Sequence, residues 1–292
     1  MLPRPLSSRL SHVFCLSGVL LLMASAASAQ SAPYDDIDAG FRLLYELKFE
    51  QARAAFQAHQ KAQPEDPLGP ASEAASYLFD EFYRQGVLTS QFFLDDDKLL
   101  EGIEGKPNFE LKEAFQRANG RAQELARRRL KADANDTDAL YVLTITTGMQ
   151  GNYTGVIEKR HLQSLKIIRQ AESYAKKLLA LKPGVGDVYV ALGASNYIVG
   201  CLPAYKRFFL FFGGIHGNRQ EGMQQLGIAS QSGRYLRPFA KILLALAALR
   251  EKQPDLARTH LEELAAEFPQ NPIFARELAF LKPPPSPIVS GP

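Results

Sequence analysis

"RPFAKILLALAALREKQPDLARTHLEELAAEFPQNP" (Arg237 to Pro272) is the stretch whose reading decides the fold. In its second half Leu256, Ala257, Leu261, Leu264, Ala265 and Phe268 recur at three- and four-residue spacing, which places them on one face of a helix. Pro269 stops that helix, since proline carries no N–H and its ring clashes with the preceding turn. The first half, up to Glu251, reads as a second apolar helix that pairs with it.

The same arithmetic recurs upstream. Four, seven and twelve residues after Ala257 stand Leu261, Leu264 and Pro269. After Ala52 the same offsets give Phe56, His59 and Pro64, and after Ala171 they give Ala175, Leu178 and Pro183. Ala122 gives Ala126, Arg129 and Ala134; Gly222 gives Leu226, Ala229 and Arg234, with Gly233 expected to close the helix as a C′ glycine. A small anchor lets a neighbouring helix approach closely, the next apolar residue extends the contact, and the breaker ends the helix about 18 Å beyond the anchor. Partner helices are expected before each, over Tyr34–Leu47, Leu68–Gln85, Thr137–Gly151, Val185–Gly200 and Arg234–Glu251. Alternating β-branched runs are nearly absent, so the chain reads as all-α, with about five irregular helix pairs and the helix ending at Pro269 as the last clear one.

"GFRLLYELKFEQARAAFQAHQKAQPEDP" (Gly40 to Pro67) and the opening stretch both resemble tetratricopeptide repeats (TPR), in which two antiparallel helices form a unit of about 34 residues. The chain is identified as an irregular, exported member of that family. The resemblance implies a helical-hairpin solenoid whose concave face binds a protein or peptide, without catalysis and without a cofactor. It departs from the family pattern in lacking tryptophan and in placing Leu47 where the turn glycine belongs.

Successive anchors lie 70, 49, 51 and 35 residues apart, and only the last is near one unit length. The surplus falls between the first and second helices of units two, three and four, as "GVLTSQFFLDDDKLLEGIEGKPN", "GNYTGVIEKRHLQS" and "CLPAYKRFFLFFGGIHG". Units stacked in one orientation send equivalent insertions out on one edge. Two of the insertions are aromatic: Phe92 and Phe93 in one, Phe208, Phe209, Phe211 and Phe212 in the other. These residues either fold back to cap lengthened helices or form an apolar lip that a partner covers. Lys206 and Arg207 beside the second run leave a third reading, peripheral contact with a membrane.

Charge is polarised along the chain: residues 30–116 carry a balance of −9, residues 117–177 of +6 and residues 178–292 of +4. Arg117, Arg121 and Arg128 fall at helical spacing in the basic middle, either as a groove for an acidic peptide or as a solvated face. Residues 1–29 have the basic start, apolar centre and Ala27-Ser28-Ala29 end of a secretory signal peptide, so cleavage near Ala29 and a periplasmic or secreted location are expected. Export argues against nucleic acid as partner. Residues 30–282 form the repeat domain and residues 283–292 a proline-rich, disordered tail. Cys201 is the only cysteine after the leader, which excludes an internal disulfide in the mature chain. His59, His161, His216 and His260 show no metal-ligand spacing, and no nucleophile elbow or phosphate loop occurs. No catalytic residue and no metal site is therefore expected.

Overall fold

The computed structural model divides into residues 1–31 and a compact unit, Ala32–Pro292, and describes residues 35–95, 102–202 and 216–281, all within that unit. Among these residues the regular structure is entirely helical. Five pairs follow one another: α1 (Asp35–Tyr45) with α2 (Phe49–Ala62), and α3 (Leu68–Arg84) with α5 (Phe109–Ala132). Then come α6 (Thr137–Asn152) with α7 (His161–Leu181), α8 (Val188–Cys201) with α9 (Arg219–Ser232), and α10 (Arg237–Arg250) with α11 (Pro254–Glu267). Each helix of this series packs on the next, and the first helices of successive pairs also touch, α1 on α3, α3 on α6, α6 on α8 and α8 on α10. This is the expected solenoid of helical hairpins.

The anchors explain the packing. Ala52, Ala122 and Ala257 are fully buried and Ala171 nearly so. In all five second helices the last residue stands ten positions beyond the anchor, at Ala62, Ala132, Leu181, Ser232 and Glu267. At Gly222 the approach of α8 is closest: a Cβ there would lie 2.6 Å from the Tyr197 nitrogen and 2.8 Å from the Gly193 carbonyl oxygen. Only hydrogen fits between those backbones.

Two local readings need correction. Gly233 keeps φ at −67°, so it is not a left-handed cap; its lack of a side chain is required because a Cβ would meet the Ala229 carbonyl oxygen and an Asp187 carboxylate oxygen, each at 2.6 Å. Left-handed residues stand instead within the insertions, at Gly86, Gly102 and Lys159, and at Leu47 (φ 62°) and Lys252 (φ 57°), where the first and last pairs turn. There Lys48 N–H donates to the Leu43 carbonyl and Gln253 N–H to the Ala248 carbonyl, satisfying carbonyls at the ends of α1 and α10. Beyond α11 the chain also forms α12 (Pro272–Phe280), signalled by Asn271, whose side chain accepts from Ile273 N–H, and by proline at the first helical position.

The insertions of the second and third pairs lie against each other, and most of the fourth pair's insertion falls outside the described residues. The second pair's insertion holds a short helix α4 (Ser90–Leu94), and the third pair's holds a π-helical turn (Tyr153–Ile157). They meet where Ile103 N–H donates to the Val156 carbonyl at 3.1 Å and Lys112 Nζ lies 2.8 Å from Glu158. The core of the unit then closes across the pairs. α4 packs on α10, Phe79 lies edge-on to Phe239 at 5.2 Å, and Phe41 stacks on Tyr235 at 4.8 Å. Asp187, buried at the start of α8, accepts from Tyr141 hydroxyl and from the N–H groups of Tyr235 and Leu236, tying the third, fourth and fifth pairs together.

Candidate functional site

The concave row of first helices encloses a cavity of about 830 Å³. Leu78, Phe79 and Phe82 face it from α3, Ile145, Gly148 and Met149 from α6, and Leu162, Leu165 and Ile168 from α7. The stripe Val190, Ala194 and Ile198 on α8 and the stripe Leu236, Phe239 and Leu243 on α10 complete the wall. Two of these helices, α6 and α8, can line a space because they are apolar all round: "TDALYVLTITTGMQGN" and "VYVALGASNYIVGC" have no polar face, so one side packs outward and the other looks inward. That all-round apolarity is the sequence signal for the site, and reading only for the anchor helices passes over it.

Leu236 and Arg250 bracket the cavity along α10, fourteen residues apart, which is about 21 Å of helix. The open end is the insertion edge, where lining residues turn outward: Leu162 is 76% exposed, Ile198 36%, and the Arg219 side chain 51%. At the other end Thr144, Val190 and Leu236 are buried.

The hydroxyls in the wall are committed to neighbours. Thr144 hydroxyl donates to the Leu140 carbonyl at 2.8 Å, Ser164 hydroxyl to the Gly151 carbonyl at 2.7 Å, and Ser195 hydroxyl to the Glu172 carboxylate. At the mouth Arg250 donates to the Phe93 carbonyl, while Arg219 donates to the Gly200 carbonyl at 3.1 Å and to Glu251 at 3.3 Å. Tyr197 hydroxyl donates to the same Glu251 carboxylate at 3.1 Å; burial above all, then the Cys201 thiol and the Glu251 charge, push its phenol well above the usual range.

The aromatic candidates divide. Phe92 is buried and Phe93 partly buried, ring centroids 5.8 Å apart, and both line the cavity from α4. Phe208, Phe209, Phe211 and Phe212 lie outside the described residues. Arg117, Arg121 and Arg128 stand on α5 away from the cavity, and each faces a carboxylate: Glu113 at 3.6 Å, Glu124 at 3.7 Å and Glu65 at 2.6 Å. His59 is buried with Nε2 2.8 Å from Asp66, a contact that joins the end of α2 to the start of α3. Among the described residues no group of three histidine, cysteine or acidic side chains gathers as metal ligands, and no helix is long and apolar enough to cross a membrane.

No protein-family model and no curated protein matches the sequence. Among solved structures, a thermophilic TPR protein of Thermus thermophilus aligns with a TM-score of 0.44 and 14% identity, covering 86% of this chain and 98% of its own.

Proposed function

We propose that this chain is an exported, non-catalytic binding scaffold that engages a protein or peptide partner at its concave side and along its inserted edge. One observation carries the reading: Leu162 and Ile198, large apolar side chains from separate elements, are exposed with half-buried Phe93 on the wall of an open apolar cavity, and Leu94, next to Phe93 in the chain, is exposed as well. Side chains of this kind left in water in one region mark an interaction surface. The inward commitment of the wall hydroxyls supports a non-catalytic role, because an enzyme needs several polar groups converging on an open point. The leader pattern of residues 1–29 supports export.

The test immobilises the chain from Gln30 onward and passes envelope extract over it, beside Leu94→Asp and Leu162→Asp variants. A partner retained by the wild type and lost with either variant is the expected result. Equal retention by all three, or turnover of a small substrate with nothing retained, would sink the proposal. The same exposed side chains also support a second reading, a membrane-peripheral assembly factor. That reading requires the chain to float with liposomes and to lose flotation on Phe209→Ser with Phe211→Ser.

A further inference from the structure

We propose that the cavity holds a single long-chain carboxylate, its hydrocarbon tail inside and its head at Arg219. The inference goes beyond the scaffold reading, in which a partner covers the mouth and the inserted edge, and names what enters the cavity behind them.

Chemistry of the wall separates a hydrocarbon from a peptide. A peptide entering the cavity brings an N–H and a C=O with every residue, and each must find a partner or lose its hydration uncompensated. The hydroxyls of Thr144, Ser164 and Ser195 already donate to Leu140, Gly151 and Glu172, so behind the mouth, Asn152 apart, the wall offers the carbonyls of a peptide few donors. A hydrocarbon tail makes no such demand. Its burial against leucine, isoleucine and phenylalanine is favourable in proportion to its length.

Dimensions agree. A volume of about 830 Å³ lies within the range of small-molecule sites. The length along α10, about 21 Å, exceeds the depth of one acyl chain, which is half of the roughly 30 Å hydrocarbon thickness of a bilayer. The cavity therefore takes a tail lengthwise and is too short for two laid end to end.

The mouth supplies the charge. Arg219 has a planar guanidinium suited to gripping a carboxylate with two parallel N–H donors. Its present carboxylate partner, Glu251, is 3.3 Å away in a pair that is half exposed on the arginine side. Such a water-facing ion pair is weak, so an incoming carboxylate can exchange with it. Ile198 and Leu202 share the cavity wall with this arginine.

Gly148 provides a clean way to close the cavity. It lines the space from the middle of α6, and a Cβ built there meets no atom within 4 Å. Gly148→Leu therefore adds a side chain in open space and replaces glycine by a better helix former. The experiment uses the chain from Gln30 onward and follows displacement of cis-parinaric acid by decanoate, dodecanoate, tetradecanoate, hexadecanoate and docosanoate, each below its aggregation threshold. The expected result is one site per chain, with affinity rising about fifteenfold for each two methylenes, as ~0.8 kcal/mol per buried CH₂ gives, and levelling off before docosanoate. Gly148→Leu should weaken hexadecanoate at least tenfold while the protein remains folded by circular dichroism. Arg219→Gln should weaken hexadecanoate but not hexadecan-1-ol.

Affinity indifferent to chain length, or hexadecanoate binding unchanged in Gly148→Leu, would overturn the inference. So would capture of phosphatidylglycerol vesicles by a chain that ignores monomeric fatty acids. Retention of a protein partner by Gly148→Leu leaves the scaffold reading standing whichever way the fatty-acid result falls, so the two can fail separately.

Discussion

Tyr45 hydroxyl donates to the Tyr235 carbonyl oxygen at 2.9 Å, across 190 residues of sequence, and both groups are buried. Tyr45 ends α1 and Tyr235 precedes α10, so this bond joins the first helix pair to the last. The Tyr45 carbonyl in turn accepts from the Asn271 amide at 2.8 Å, at the start of α12. Burial holds the Tyr45 phenol well above its usual range, with the Asp187 charge acting in the same direction, so it is a donor at every working pH.

Tyr45→Phe leaves the Tyr235 carbonyl buried without that donor and is expected to cost about 1–3 kcal/mol. Urea unfolding measures it. The exposed pair of Arg234 and Asp38 spans the same junction at 2.6 Å, and Asp38→Asn should cost less than about 1 kcal/mol because water screens it. A larger loss from Asp38→Asn than from Tyr45→Phe would contradict this account of the closure.

Lys252 sits at φ 57° with an exposed side chain, in a conformation that costs a non-glycine residue about 1–2 kcal/mol. Lys252→Gly should therefore raise the melting temperature. Leu47, in the same conformation, also packs on the core, so Leu47→Gly trades relief of strain for lost contact and should gain less. Thermal scans of the two variants side by side decide the matter.

At the contact of α8 with α9, Gly222→Ala forces a methyl against the Tyr197 nitrogen and the Gly193 carbonyl and should destabilise by about 1–3 kcal/mol. Gly227→Ala, five residues further along α9 and with no atom within 4 Å of its new Cβ, should stabilise by up to ~1 kcal/mol. If the two substitutions shift the urea midpoint in the same direction, the close approach is not what the geometry indicates.

His260 is the pH-sensitive group of the last pair. Burial lowers its pKa, the Lys241 charge adds to this, and Glu263, 3.9 Å from Nδ1, opposes it. The unfolded chain, with histidine near 6.5, thus takes up the proton before the folded one does. Stability from this residue is complete above about pH 6.5 and falls as the pH drops from there through the lowered folded value. His260→Gln should flatten the stability profile across that interval, read as urea midpoints at successive pH values.

Much of the fold was legible because the anchor pattern is a local physical constraint. A small residue at Ala52, Ala122, Ala171, Gly222 or Ala257 has to meet a neighbouring helix, and a second helix of fixed length follows from it. Local turn chemistry was less legible: Gly233 carries the expected residue type for a different reason, and Leu47 and Lys252 adopt a conformation their side chains disfavour because core contacts and helix-end hydrogen bonds hold them there. Of the site, the sequence indicated Phe92 and Phe93 as the aromatic part of an insertion, but not that α4 would carry them onto α10.

By itself the sequence determined the five helix pairs and where insertions interrupt them, since each depends on contacts between chain neighbours, but it passed over α4 and α12. Only the tertiary structure decided that the first pair meets the last and that the inner row surrounds a cavity. Closure is the sum of small rotations over five pairs, and bonds spanning 190 and 226 residues leave no periodic trace for a pattern to reveal.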